Sequence, residues 1–417
     1  MRLIISTNTR AVEALLDRRP RPNAAVERDV ARIVARVRRD GDRALLDYAR
    51  RFDGLSEPME VDVEEMRRAA GNVRPELRSA IAAAARSIRR VARRQMPKGW
   101  SIETAPGVRI EQRVTALDRV GCYVPGGRHP LPSSLLMTAI PARVAGVGEV
   151  IVACPKPDAT VMAAALEAGV TRLFRLGGAH AIAALAYGTA RVPAVDKIVG
   201  PGNAYVAAAK TLVAPDCAID FHAGPSEIVV VSESGKPDWI AADLIAQAEH
   251  DPDARAILLT PSRTLAARVM AALKRRLPPG GPAREALAAN GGVVLTSSLD
   301  EAIALSQAMA PEHLVCDTEA MAARLTRAGT VFVGDYSAQA SGDYATGSNH
   351  VLPTSGGARG RGGLSAADFV RVSTVQRLSS RGLRRIASAA ITLAEAEGLA
   401  AHAASIDIRL RRRKARS

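Results

Sequence analysis

Asp196-Lys-Ile-Val-Gly-Pro-Gly-Asn-Ala204 runs from a short apolar strand through a glycine turn into an Ala-rich helix. Strand, tight turn and helix in that order are the repeating unit of a parallel sheet with right-handed crossovers. The unit recurs on both sides. Strand patterns at 120–124, 150–153, 173–176, 197–199 and 228–231 alternate with helical patterns around 135–144, 161–168, 179–187 and 204–213. The rhythm resumes with strands near 256–260, 292–295, 314–316 and 330–333, so two α/β modules is the natural count. Upstream, Val26, Val30, Ile33, Val34 and Val37 repeat at helical spacing up to Asp40-Gly41, and Arg- and Ala-rich helices continue to about 95. Pro97-Lys-Gly99 breaks that pattern and 108–114 reads as a strand. Residues 337–363 are dense in Gly, Ser, Asn and Thr, too long for an idle connection inside a compact domain. Mainly helical segments follow, ending in 393–404 and a basic tail.

Composition narrows the class. A chain of 417 residues exceeds one simple core, and 47% hydrophobic with 24% charged residues describes a soluble globular protein. No apolar run approaches the ~20 residues of a membrane span, and the start lacks a secretory signal, so no membrane partner and a cytoplasmic location are expected. The net charge of +15 comes mostly from Arg spread along helices, and aromatic content is only 3%. With little to stack on bases and no nucleic-acid-binding motif, no nucleic acid partner is expected. The cysteines at 122, 154, 217 and 316 form no Cys-x-x-Cys pair, which points to reduced thiols and away from a Cys-based metal site. Cys122 could be a nucleophile for aldehyde chemistry, but its apolar strand context favours packing.

Four islands carry polar groups where chemistry could occur. In Gln247-Ala-Glu-His250, Gln247 continues the inward side marked by Ile240, Leu244 and Ile245, and His250 lies three residues on. Taken alone, this pair reads first as a hydrogen-bonded part of a core, because buried polar groups need partners. Pro311-Glu312-His313 sets a carboxylate beside an imidazole between an apolar helix and a strand, two bases of different strength; a surface Glu beside an incidental His is the plainer account. Asp343, after Gly342, and His350 lie in the long loop, and Glu397 and His402 lie five apart on a terminal helical pattern. Gln, His and Asp side chains together would suit Zn²⁺, Mn²⁺ or Co²⁺.

Glycine turns suggest a different ligand. The Gly200-Pro-Gly-Asn203 turn, Gly121-Cys-Tyr-Val-Pro-Gly-Gly127 and Gly177-Gly178 each join a strand to a helix and could offer free backbone N–H groups to a phosphate. The Gly-x-Gly-x-x-Gly fingerprint is missing, so this alone is a weak dinucleotide signal.

Seen together, the islands resemble the histidinol dehydrogenase family, and the resemblance covers essentially the whole chain. It rests on Gly121-Cys-Tyr-Val-Pro-Gly-Gly127, Gly178-Ala-His-Ala-Ile-Ala-Ala-Leu-Ala-Tyr-Gly188, Asp196 to Ala204 and Ala223-Gly-Pro-Ser-Glu227. Gln247-Ala-Glu-His250, Ala310-Pro-Glu-His-Leu314, Gly342-Asp343, Asn349-His-Val-Leu-Pro-Thr354 and Ala401-His402 complete it in family order. The resemblance implies one Zn²⁺ per subunit held by Gln247, His250, Asp343 and His402. It implies Glu312 and His313 as catalytic bases, and Tyr123, His180 and Asn203 at positions that meet NAD⁺. Ser226, Gln247, His250, His313, Asp343, Glu397 and His402 fall at positions that meet the substrate, L-histidinol.

The same resemblance implies the architecture: two incomplete Rossmann-like parallel-sheet α/β domains with a helical, dimer-forming tail. Residues 1–24 would begin the tail, 25–122 with 227–364 would form a first domain carrying metal and catalytic residues, 123–226 would bind NAD⁺, and 365–417 would complete the partner's active site in a homodimer. The implied reaction is the four-electron oxidation of L-histidinol to L-histidine with two NAD⁺ through bound histidinaldehyde, the last step of histidine biosynthesis. A relative in the same superfamily acting on another polar alcohol or diol is the alternative. Four positions depart from the pattern: His180 stands for a usual Gln, Phe221-His222 for smaller or apolar residues, and Cys122 for a frequent Leu.

Overall fold

The computed structural model describes residues 1–16, 23–126, 130–221 and 224–411. His222 and the basic run beyond Arg411 lie outside the described residues. In chain order the strands are β1 (Arg2–Ile5), β2 (Glu60–Val61), β3 (Trp100–Ala105), β4 (Val108–Ala116), β5 (Arg119–Tyr123), β6 (Glu149–Ala153), β7 (Arg172–Phe174) and β8 (Lys197–Val199). They continue as β9 (Ala218–Ile219), β10 (Glu227–Val231), β11 (Arg255–Thr260), β12 (Gly292–Leu295), β13 (His313–Cys316), β14 (Thr330–Val333) and β15 (Val370–Leu378). Two compact units form, one of Met1–Gln95 with Leu117–Phe369, the other of Met96–Ala116 with Val370–Ser417.

The larger unit holds two sheets, as the strand rhythm predicts. The first has the order β1-β12-β11-β10-β13-β14 and is parallel throughout. Its inner strands β10, β11 and β12 are nearly continuous apolar runs because both faces are covered. Along β10, Ile228 and Val230 face one core with helices Pro237–Ala248 and Arg263–Arg276, while Val229 and Val231 face another with helix Leu299–Met309. The second sheet has the order β2-β7-β6-β5-β8-β9, parallel except where the two-residue β2 runs against β7.

The sheets partition the chain differently from the sequence reading. β1 is an edge strand of the first sheet, with Arg2 opposite Gly292. Helix Ala24–Asp40 turns Val30, Ile33, Val34 and Val37 onto the second sheet's core, beside Phe174, Leu176 and Ile182. That apolar stripe is buried by helices Gly178–Tyr187 and Ala204–Val213, so helix Ala24–Asp40 is bound to the second sheet by packing. Local pattern gave the helix but not its partner.

In the smaller unit, β15, β4 and β3 form an antiparallel sheet with the order β15-β4-β3. The stretch 370–378, read as part of a mainly helical tail, is therefore a strand, paired with β4 from end to end. The pattern at 393–404 is not one helix. Helix Ser380–Ala396 ends at Glu397, Gly398 takes a left-handed φ of 74°, and helix Ala400–Leu410 follows.

In an open parallel sheet, ligands dock outside the carboxyl ends of the strands where the winding reverses. In the second sheet the chain winds from β5 through β6 to β7, then returns to the other side of β5 with β8 and β9. The reversal lies between β5 and β8, where the two strand ends almost touch. Gly200 has φ +114°, and a Cβ there would meet the Tyr123 carbonyl oxygen at 2.2 Å. Its N–H donates to Asp220 Oδ2 at 2.8 Å and its carbonyl accepts from Lys210 Nζ at 3.0 Å. Lys210 and Asp220 are both buried and paired with each other, so one ion pair holds both sides of the Gly200 residue.

Gly200→Ala is expected to destabilise the protein by about 1–3 kcal/mol from backbone strain alone. Thermal melting checks it: Gly200→Ala should melt lower, whereas Gly280→Ala, with nothing near its Cβ position, should melt as the unsubstituted protein does.

Candidate active site

At the reversal of the first sheet, between β10 and β13, the polar groups gather at the amino ends of the strands. Helix Leu299–Met309 stops at Ala310, which adopts a left-handed φ of 46°, and Pro311 leads into β13. Glu312 and His313 thereby arrive at the strand's start, 5% and 4% exposed. They are a buried pair, not surface residues. Glu312 Oε2 accepts the Glu227 N–H at 2.9 Å, and His313 Nδ1 lies 3.3 Å from the Glu227 carbonyl oxygen. The two side chains approach each other at 3.7 Å, and His313 Nε2 faces Asp343 Oδ1 at 3.8 Å. With its proton on Nδ1, held by the Glu227 carbonyl, the imidazole keeps a basic lone pair on Nε2.

Asp343 does not sit in an irregular loop. It lies in the short helix Gln339–Tyr344, where Gln339, one turn earlier, donates from Nε2 to Asp343 Oδ2 at 3.0 Å. That helix packs closely on Phe332 of β14, since a Cβ on Gly342 would meet the Phe332 ring at 2.7 Å. His350 Nδ1 lies 2.9 Å from the Asp343 carbonyl oxygen.

Crossover helices run antiparallel to their strands, so helix Pro237–Ala248 brings its carboxyl end to the same edge of the sheet. It packs against helix Gln339–Tyr344. Gln247 is 1% exposed, as its helical spacing predicts, and its side-chain oxygen has no hydrogen-bond partner among the described residues. A buried amide oxygen left unmatched costs about 1–3 kcal/mol. His250 differs from expectation: the helix ends at Ala248, and His250 is an exposed turn residue before Asp251-Pro252. Among the described residues no three His, Cys, Asp or Glu side chains are arranged to hold a metal ion. The nitrogen and oxygen donors of Gln247, His250 and Asp343 nevertheless fit zinc in kind, and the orphaned Gln247 oxygen fits a group that awaits a ligand.

Burial dominates the electrostatics of the pair. It pushes the Glu312 carboxyl up to about 7, against the opposing pull of His313. Burial would lower the His313 imidazole, but Glu312 and Asp343 outweigh it and hold the ring above its ordinary value. Burial likewise works against the Asp343 carboxylate, yet His313 holds it below its ordinary range. The site therefore contains one carboxyl that exchanges a proton near neutrality and one that stays ionised, with an imidazole facing both.

The second sheet's reversal holds the other group of expected contacts. Tyr123 ends β5, Asn203 precedes helix Ala204–Val213, and Gly177-Gly178 opens helix Gly178–Tyr187. The backbone N–H groups of these turns are not free as the sequence reading supposed. Asp53 Oδ2 accepts from Gly177, Asp220 Oδ2 from Gly200, and the Asn203 side chain from Tyr205 and Val206. His180, expected beside NAD⁺, is 1% exposed and its Nε2 lies 2.8 Å from Asp53 Oδ2. Cys122 is fully buried and its thiol is pushed up to about 12 by burial, which removes it as a nucleophile at neutral pH.

Ser226 immediately precedes β10, and its carbonyl accepts from the Arg255 N–H. Glu397 and His402 belong to the smaller unit, exposed on either side of the break at Gly398. Sequence reading missed Glu227, Gln339 and Asp53. Gln339 had a signal, its spacing of four residues from Asp343 on a helix; Glu227 and Asp53 act through contacts distant in sequence.

Comparison with known proteins agrees with the motif order. The family model described as histidinol dehydrogenase matches residues 16–410. A histidinol dehydrogenase of Methanothermobacter thermautotrophicus is 46% identical over 396 residues, covering 92% of this chain and 93% of that one. One from Bordetella parapertussis is 47% identical over 416 residues, covering 96% and 94%. The crystal structure of histidinol dehydrogenase from Elizabethkingia anophelis superposes with a TM-score of 0.92 at 34% identity, covering 98% of each chain. With whole-length matches in sequence and fold, this chain belongs to the histidinol dehydrogenase family.

Proposed function

We propose that this protein is a zinc-dependent dehydrogenase that oxidises L-histidinol to L-histidine, through bound histidinaldehyde, with two NAD⁺. The reading is carried by the buried Glu312–His313 pair facing Asp343, with an orphaned Gln247 oxygen on the helix that packs against Asp343's own. Gln247, His250 and Asp343 would hold zinc in one chain, and His402 would come from a partner subunit with Glu397 in a homodimer. Bound zinc would orient the substrate through its imidazole and amine, and each bound NAD⁺ would accept a hydride from the substrate's terminal carbon.

This chain's residues then manage protons and water. In the first stage His313 takes the hydroxyl proton at Nε2 as the alcohol becomes an aldehyde. Asp343, ionised and facing that nitrogen, stabilises the imidazolium. In the second stage Glu312 draws a proton from water as the water oxygen adds to the aldehyde carbon, and His313, having passed its first proton to solvent, takes the proton of the resulting hydrate. A carboxyl near 7 is poised for that exchange. Ser226, at the start of β10, would contact the substrate. Tyr123 and Asn203 would meet the cofactor at the β5/β8 crevice. Free, buried cysteines suit the reducing cytoplasm, where we place the protein.

Three measurements test this. Zinc-loaded protein should release two NADH per L-histidinol, and no NADH from histidinol would sink the substrate assignment. Glu312→Gln and His313→Ala should each lower kcat by about 10²–10⁴-fold, the usual worth of a positioned base, with folding judged by circular dichroism. Chelation should remove one zinc per subunit by elemental analysis and abolish activity, and added zinc should restore both.

Shared sites make a further demand. Mixed Gln247→Ala and His402→Ala chains, each inactive alone, should regain part of the activity, because one site of a hybrid dimer keeps all four ligands. Failure to regain activity, with hybrids demonstrated, would put every ligand in one chain.

A further inference from the structure

Behind the β5/β8 crevice lies a buried histidine–carboxylate pair that the proposed chemistry does not use. His180 and Asp53 side chains are 2% and 8% exposed, and both polar contacts fall on one carboxylate oxygen. Asp53 Oδ2 accepts the Gly177 N–H at 2.9 Å and lies 2.8 Å from His180 Nε2. The His180 ring is packed near Tyr48 and Phe52, with centroids 5.9 and 6.2 Å away. It is enclosed on the side of the helices that cover the sheet.

The turn it steadies is tightly wedged. A Cβ on Gly177 would meet Asp53 Oδ1 at 2.7 Å and Pro155 Cβ at 2.8 Å, while Gly178 has a φ of +57°. The turn has no room to drift on that side. From its other side the Gly178 N–H donates to the Tyr123 hydroxyl oxygen at 3.0 Å. A phenol that accepts one hydrogen bond keeps its own O–H to donate elsewhere, and the accepted bond fixes where that donor points. Burial pushes the Tyr123 hydroxyl up to about 12, so it remains a donor at neutral pH.

We propose that Asp53 and His180 are positioning residues for the nicotinamide cofactor, holding the Gly177–Gly178 turn from behind and, through it, the Tyr123 hydroxyl that meets the cofactor. The proposal rests on the reading that NAD⁺ docks between β5 and β8. It reassigns His180 from a contact to a support, and gives Asp53 a role that its buried paired carboxylate explains.

The test is NADH binding to zinc-loaded protein by fluorescence, with steady-state kinetics beside it. His180→Phe keeps the aromatic packing and removes the bond. It should weaken NADH binding about fivefold, the worth of one net hydrogen bond, and raise KM for NAD⁺, leaving KM for histidinol and kcat at saturating NAD⁺ near their original values. His180→Gln, which restores a donor, should recover most of the loss. In a double-mutant cycle, Tyr123→Phe and His180→Phe should be less than additive for NADH affinity, since one acts through the other.

Unchanged NADH affinity in a folded His180→Phe protein would overturn the proposal. So would strict additivity with Tyr123→Phe, or parallel losses in both KM values and melting temperature, which a purely structural role would give. Absence of NADH binding to the unsubstituted protein would instead remove the cofactor reading itself, and the proposal with it.

Discussion

The hydrogen bond from the Glu227 N–H to the Glu312 carboxylate ties together the starts of β10 and β13, the strands from which the first sheet winds in opposite directions. Glu312, His313 and Asp343 are organised around that joint. Glu312 is buried because β13 begins inside the sheet, and it tolerates burial because a backbone donor and His313 compensate part of the loss of water. His313 in turn is oriented by the Glu227 carbonyl. Asp343 approaches only because Gly342 lets its helix lie flat against Phe332. Loosening the joint would alter the depth of the carboxyl and the aim of the imidazole together.

The two sheets use opposite ends. In the second sheet, Tyr123 and the Gly200 turn stand outside the carboxyl ends at the β5/β8 reversal, where open parallel sheets ordinarily take ligands, and the Tyr123 hydroxyl reaches the Gly177–Gly178 turn after β7. In the first, the acid–base pair stands at the amino ends of β10 and β13. The carboxyl ends of crossover helices come to that edge, so Gln247 reaches it from the end of Pro237–Ala248. The second sheet is also unlike a phosphate-binding turn in its chemistry. Its turn N–H groups face Asp53, Asp220 and Asn203 within the protein, and His180 and Lys210 lie against the two carboxylates.

The sequence made the strands legible because buried parallel strands are uninterrupted apolar runs between glycine turns. The motif islands were legible as a family pattern, and Gln247 as a buried polar residue followed from helical spacing alone. What could not be read was partnership. Nothing local says that Val30, Ile33 and Val37 belong against the second sheet, or that Gly177 and Gly200 have their N–H groups taken by carboxylates from other segments. His250 was misplaced for a local reason: the helix stops before Asp251-Pro252, and a proline biases the preceding residue away from helix. The strand Val370–Leu378 was hidden because its side chains are mostly exposed, so it lacks the apolar signature of the other sheets.

The pairing of β1 with β12 has a consequence for how the chain is made. Arg2–Ile5 is synthesised before every strand of the second sheet, and its partner Gly292–Leu295 only after them. Domains made early fold early, and contacts between distant residues form slowly because the intervening chain must close. The second sheet can assemble while the first waits for its edge. During that interval Arg2–Ile5 is an unpaired strand with apolar Leu3 and Ile5, available to a neighbouring nascent chain. The same strand closes the edge of the sheet in the folded protein, so a change that weakens its pairing with Gly292–Leu295 would act on folding yield before it acted on catalysis.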